Sequence, residues 1–299
     1  MSCPESRRGL LYAVLAYLLW GLLPLYWKLL ASVPPLEILC HRIAWSLAFT
    51  GALLAWRGGI GPALRQGLER RTGCALLGTA LLLGVNWLVY IHAVNTGQVL
   101  QGSLGYFISP LVSAALGVLF LGERLTPLQV GAFALALAGV LVLALAGGQP
   151  PWLALALAGT FALYGLGRKV ARLGSLDGLF LESAVLTLPA LAWLAWLASR
   201  GAGAFGHEPW GLSLLLVGSG VTTSVPLLFF AASARRMPLT TLGLLQYLSP
   251  TMQFLLGLLL YREPFGGAQL AAFTLIWTGL ALYTWALLGP RARPAVEGA

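Results

Sequence analysis

The sequence predicts an all-α membrane protein of ten transmembrane helices, arranged as two inverted five-helix repeats with both termini cytoplasmic. Three observations predict it. The composition is 59% apolar and only 9% charged. Ten apolar runs are each long enough to cross a bilayer. Basic residues gather on alternate loops. A soluble domain carries about a quarter charged residues, so this chain has lipid as its solvent. A hydrocarbon core about 30 Å thick takes about 20 helical residues to cross. In 299 residues, ten crossings leave no room for a sizeable soluble domain.

The first run, 9–30, follows Arg7-Arg8. No small-residue cleavage site follows it, so it is a retained helix with two basic anchors and not an export signal. The second, 36–56, starts after Pro34-Pro35 and stops at Arg57. The third, 72–93, follows Arg70-Arg71. The fourth, 98–121, and fifth, 128–146, are divided by Gly122-Glu123-Arg124. The sixth, 151–167, ends at Arg168-Lys169, the seventh, 178–198, ends before Arg200, and the eighth, 210–234, stops at Arg235-Arg236. The ninth, 239–261, and tenth, 266–288, are divided by Arg262-Glu263-Pro264. Lys and Arg stay cytoplasmic during insertion. With the N-terminus inside, 14 of the 18 basic residues fall on the cytoplasmic side, three (Lys28, Arg200, Arg262) on the other, and Arg42 within a helix. An odd number of crossings would scramble that asymmetry.

An internal repeat divides the chain into a first half, 1–148, a second half, 149–289, and a cytoplasmic tail, 290–299. Tyr106-Phe107-Ile108-Ser109-Pro110 with Glu123 thirteen residues on matches Gln246-Tyr247-Leu248-Ser249-Pro250 with Glu263 thirteen on. Gly117 then pairs with Gly257, Phe133 with Phe273 and Gly139 with Gly279. Earlier in each half, Trp20-Gly21 aligns with Tyr164-Gly165 and Glu37 with Glu182. Five helices per half is an odd number, so the second half enters from the opposite face. Inverted repeats of this kind place a transport site near the midplane between the halves.

A charge or amide at the bilayer centre costs a few kcal/mol unless it faces protein or water, so the few polar groups inside the runs are candidates for function. Arg42 lies about 9 Å inside the second helix. Its side chain either snorkels outward or presents a guanidinium to a cavity, where it would attract a carboxylate. Its repeat mate is Thr187, so the charge breaks the symmetry. Trp45 follows on the same face, and Trp20 and Trp45 both sit near helix centres, away from the interface that Trp prefers. Asn86, Tyr106, Gln246 and the pair Thr222-Thr223 carry hydrogen-bonding tips beyond what packing needs. Pro226, after that Thr pair, predicts a kink or a short unwound stretch in the eighth helix.

Glu37 and Glu182 each open the second helix of their half, after Lys28 in one case and Lys169 and Arg172 in the other. These are either ion-pair gates on opposite faces or carboxylates favoured by the helix N-terminus. His41 and His92 are isolated on apolar helices. The three cysteines lack metal-ligand spacing, and no phosphate, metal or protease motif occurs, so no cofactor and no enzymatic activity are expected. Basic residues at helix ends orient the chain in the bilayer and do not form a nucleic-acid footprint. The alternatives to transport are an intramembrane enzyme and a non-transporting scaffold.

Residues Ala16-Tyr17 with Trp20-Gly21 and Pro24, Glu37-Ile38-Leu39-Cys40-His41-Arg42 with Trp45-Ser46, Asn86-Trp87, Ala93-Val94-Asn95, Ser103-Leu104-Gly105-Tyr106-Phe107-Ile108, Tyr164-Gly165 with Arg168-Lys169, and Thr222-Thr223 with Val225-Pro226-Leu227 resemble the RarD permeases of the EamA branch of the drug/metabolite transporter superfamily. The resemblance spans 9–288 in order. It implies a ten-helix inverted-repeat bundle with a central cavity, in a bacterial inner membrane. It departs at Gln101, where that group has an acid, and at Ser109, where it has Asn. The expected activity is secondary transport of small metabolites or drug-like compounds by alternating access.

Overall fold

The computed structural model describes residues 3–95, 99–146, 151–171, 173–206, 210–260 and 266–288. They form α1 (Cys3–Leu29), α2 (Pro35–Trp56), α3 (Ile60–Leu68), α4 (Arg70–Asn95), α5 (Val99–Leu121), α6 (Pro127–Ala146), α7 (Trp152–Val170), α8 (Ser175–Ser199), α9 (Trp210–Ala234), α10 (Leu239–Leu245), α11 (Leu248–Leu259) and α12 (Gly267–Leu288), with no strand among them. Eight of these helices, α1, α2 and α4 to α9, are long and apolar enough to cross a membrane. The chain is an all-α membrane protein, as its composition requires. In lipid every backbone N–H and C=O must find its partner inside the segment, and the helix does this without help. Large apolar side chains such as Leu119, Leu145 and Leu188 stay exposed on the outside of the bundle, where lipid and not water receives them.

Three local features depart from the sequence reading. The link between α2 and α4 folds into the short helix α3, entered through Gly58 at φ +65°. Helix α9 is continuous through Pro226. The interruption lies in the next segment, where Gln246 and Tyr247 divide α10 from α11. Pro250 explains the location: it sits in the first turn of α11, where a missing N–H costs nothing and where a new helix tolerates it.

Helix neighbours come in matched sets. α6 packs on α12, α2 on α8, α5 on α7 and α1 on α11, while α2 packs on α9 and α4 on α8. At the α6–α12 contact a Cβ on Gly139 would stand 2.7 Å from the Ala272 carbonyl, and one on Gly279 would stand 2.6 Å from the Ala132 carbonyl. Each glycine lets its helix touch the backbone of the other. The helix ends meet in two groups. On the side where α1 begins, Ser233 donates to Gly9 O at 2.8 Å and Glu123 receives the N–H groups of Leu239 and Thr240 at 2.6 and 2.8 Å. On the far side, Glu37 receives the N–H of Ala204 at 2.7 Å, and Tyr26 hydroxyl donates to Leu215 O.

Candidate functional site

A cavity of about 150 Å³ lies between α1, α2, α4, α5, α7, α9 and α11. Three helices line it with the same spacing. α1 contributes Trp20, Leu23, Pro24 and Trp27, α4 contributes Leu83, Asn86, Trp87 and Tyr90, and the α10–α11 junction contributes Gln246, Ser249, Pro250 and Gln253. Positions i, i+3, i+4 and i+7 stack on one helical face, so each helix offers a single stripe. Tyr106 of α5, Phe161 of α7, and Thr223 and Leu227 of α9 complete the wall.

Arg42 enters from α2. Its Nε donates to Thr223 Oγ1 at 2.9 Å. Its guanidinium carbon lies 4.8 Å from the Trp27 ring centroid and 5.2 Å from that of Trp87. The guanidinium is therefore held between two indole rings, whose electron-rich faces are each worth about 0.5–2 kcal/mol to a partly desolvated cation. Among the described residues no carboxylate lies within ion-pair distance of Arg42. The Arg42 side chain thus turns inward to the cavity. Tyr90 and Tyr106, their ring centroids 6.0 Å apart, stand beside it.

The cavity lies beside the half of α1 remote from its start, and an aromatic layer closes it below. Trp20 and Phe161 meet edge to face at 5.7 Å, Phe161 and Phe230 lie 5.2 Å apart, and Phe230 stacks on Tyr164 at 6.1 Å. Tyr17 underneath donates to Leu242 O at 3.0 Å. Further toward the α1 start, Lys169 Nζ donates to Met237 O at 2.5 Å and lies 3.6 Å from Glu123 Oε1.

Of the residues singled out by sequence, Arg42, Trp20, Asn86, Tyr106, Thr223 and Gln246 converge on this cavity. Asn86 also ties α4 to α7, its Nδ2 donating to Leu157 O and Thr160 Oγ1, both at 2.9 Å. Trp45 stands elsewhere, in a crevice between α2 and α8. It is about 40° around the helix from His41 and about 60° from Arg42, so it joins the histidine's stripe. Thr222 turns its hydroxyl back on Gly218 O and Ser219 O of its own helix, at 3.3 and 3.1 Å.

The acidic candidates find other partners than those expected. Glu182, fully buried, receives Thr79 Oγ1 at 2.7 Å and Tyr164 hydroxyl at 3.2 Å, and its cation is Arg168 at 3.4 Å. Lys169 turns to Glu123 instead. Glu37 faces His41 at 3.9 Å and the Ala204 N–H, and not Lys28. Arg172 lies outside the described residues. Among the cavity residues not singled out as site candidates, Trp27 and Trp87 had a signal in the spacing: Trp27 is seven residues after Trp20, and Trp87 four after Leu83.

Residues 7–145 match the EamA-like transporter family. Over 99% of its length the chain is 47% identical to a Streptomyces exfoliatus protein named RarD, of which it covers 94%. It is 40% identical to the RarD protein of Escherichia coli, covering 95% of this chain and 96% of that one. It is 43% identical to YojE of Bacillus subtilis, described as an uncharacterized transporter, over 95% of this chain and 96% of the relative. A solved crystal structure superposes with a TM-score of 0.72 at 23% identity, covering 94% of this chain and 99% of its own, and so shares the fold.

Proposed function

Because the chain belongs to the EamA-like transporter family, within its RarD group, we propose that it is a secondary transporter of small carboxylate-bearing metabolites or drug-like compounds, working by alternating access. It is a bacterial multi-pass membrane transporter. The observation that carries the proposal of carboxylate transport is the Arg42 guanidinium, which faces a central cavity between two indoles and has no carboxylate partner among the described residues. A partly buried cation without a carboxylate partner favours an anionic ligand by about 1.5–3 kcal/mol per charged hydrogen bond. Trp20, Asn86, Tyr106, Thr223 and Gln246 shape the pocket around that group. Trp45 and Thr222 stand outside that lining and act through the packing of α2 and α9.

The protein crosses the inner membrane ten times with both termini cytoplasmic, α10–α11 and α12 supplying the last two crossings. Its halves, 1–148 and 149–289, are inverted repeats, a reading supported by the exchange symmetry of the helix neighbours and of Gly139 with Gly279. In that orientation the cavity opens outward. Lys169 with Glu123 and Arg168 with Glu182 close the cytoplasmic side, while Lys28 and Glu37 stand on the outward side. No cofactor enters this cycle.

Purified protein in liposomes loaded with a panel of amino acids, organic acids and neutral drugs tests the reading. Wild type is expected to move one or more monocarboxylates, and Arg42→Ala to cut that flux about 10- to 100-fold. Equal flux in the two removes Arg42 as the anchor. No flux for any compound overturns the transport reading itself.

A further inference from the structure

A second space, of about 590 Å³, lies between α2 and α8 under the segment 200–206, within the roughly 300–1,000 Å³ usual for small-molecule sites. Its walls are apolar over most of their extent, formed by Ala44, Ala48, Leu191, Leu194 and Ala195 among others. Three polar side chains at i, i+4 and i+8 of α2 interrupt this surface, namely Glu37, His41 and Trp45. Each holds a buried polar atom with no hydrogen-bond partner among the described residues: Glu37 Oε2, His41 Nε2 and Trp45 Nε1. Glu37 is 1% and His41 5% exposed.

The carboxylate is the decisive group. Ala204 N–H satisfies Oε1 at 2.7 Å, and the start of α2 favours a negative charge there. Oε2 has nothing. The one ion-pair partner of Glu37 among the described residues is His41, at 3.9 Å, and an imidazole carries no permanent charge. Arg200, at the end of α8, lies over the Trp196 ring at 4.8 Å, and Arg42 on the same helix turns to the central cavity. A buried carboxylate oxygen without a donor is costly, and a ligand ammonium supplies the donor and the charge together. The aromatic wall suits a cation as well, with Phe205 5.0 Å from the His41 ring and 6.1 Å from the Trp45 ring.

We infer that this crevice is a second binding site, separate from the Arg42 cavity, for an amphipathic primary amine whose ammonium meets Glu37 and whose apolar body lies along α2 and α8. The central cavity, with its guanidinium, selects the opposite charge. One chain thereby carries an anion site and a cation site on two faces of the same helix.

The test is equilibrium binding of radiolabelled 4-phenylbutylamine to the purified full chain in detergent, with 4-phenylbutanol as the uncharged comparison. Saturable amine binding is expected, at least tenfold tighter than the alcohol. Glu37→Gln, which keeps an acceptor for Ala204 N–H, should weaken the amine at least tenfold. Ala44→Trp, which fills the crevice and leaves Glu37 untouched, should abolish binding. Arg42→Ala should leave it unchanged, so loss of the anion site and loss of this one are read separately. Amine binding that is unsaturable, equal to the alcohol, unaltered in Glu37→Gln, or lost in Arg42→Ala overturns the inference. Adding phosphatidylethanolamine separates the two sources of the ammonium group: displacement of the amine identifies a bilayer lipid as the natural occupant, and no displacement identifies a soluble amine.

Discussion

Helices α2 and α8 pack against each other and treat their charges in opposite ways. On α8 the buried Glu182 is answered within the protein by Thr79, Tyr164 and Arg168. Arg168 Nη2 donates in turn to Gly174 O and Ser175 O at 3.1 and 3.2 Å, which leaves only Nε of that guanidinium without a partner among the described residues. Its guanidinium lies against Gly178, where any side chain would displace it. Thr187, which the sequence register aligns with Arg42, turns its hydroxyl to its own helix at Ser183 O, 2.7 Å away. On α2 nothing is settled internally to that degree. Arg42 has one hydroxyl and two ring faces, and Glu37 has an oxygen with no donor. A charge completed by its own fold stabilises the fold, whereas one left incomplete is available to a ligand.

The largest expected effect tests the completed side. Arg168→Ala leaves Glu182 buried without its cation, which costs about 3–5 kcal/mol, and the folded fraction in detergent should fall sharply in a thermal unfolding assay. Replacing both, as Arg168→Met with Glu182→Met, should recover most of that loss, because the uncompensated charge is gone. Arg42→Ala should melt within about 1 kcal/mol of wild type, since a costly membrane charge is removed along with its contacts. If Arg42→Ala and Arg168→Ala melt alike, the contrast between the helices fails.

Much of this contrast was legible in the sequence, and its limits have physical causes. Helix α1 starts six residues earlier than its run, and the ninth run divides into α10 and α11. Apolar runs bounded by charge, Pro or Gly located α2, α4 to α9 and α12 to within about three residues, because a run of that length satisfies its own backbone in lipid only as a helix. The lone Arg42 and the mismatch with Thr187 were visible for the same reason. Arg168 was not: at a helix end beside Lys169 it reads as one more cytoplasmic anchor. Only the fold shows that Gly178 opens a space for it against α8. Glu123 was read only as a repeat marker, although it caps α10 from 116 residues away. Such pairings depend on which helices meet, and no local pattern encodes that.

A second prediction sharpens the incomplete side. Arg42→Lys keeps the charge but loses the planar fork and much of the stacking on Trp27 and Trp87. Carboxylate flux in liposomes should fall about tenfold, between wild type and Arg42→Ala, with the loss mainly in KM. Flux equal to wild type would mean that a point charge suffices and that the indole sandwich has no role in recognition.

The closure beneath the cavity gives a smaller effect. Glu123→Ala removes the acceptor for two N–H groups at the start of α10 and the partner of Lys169, at a cost of about 1–2 kcal/mol. In a background without Cys3, Cys40 and Cys74, a cysteine introduced as Leu242→Cys should then react several-fold faster with a membrane-impermeant maleimide applied from the cytoplasmic face. Unchanged labelling would assign Glu123 to helix capping alone.

The smallest effect concerns the single hydrogen bond that aims Arg42. Thr223 is 2% exposed and receives Arg42 Nε at 2.9 Å, which leaves the terminal nitrogens of the guanidinium for a ligand. Thr223→Val preserves the shape of the side chain and removes the acceptor, a change of about 1 kcal/mol, or roughly fivefold in KM. Thr223→Ser should restore wild-type behaviour, because the hydroxyl returns and the lost methyl matters little to a polar contact. The split decides between two roles. A KM that rises in Val and recovers in Ser identifies an orienting bond. A melting point that falls in both, with KM unchanged, identifies a packing contact between α2 and α9, and would make Arg42 as internally settled as Arg168.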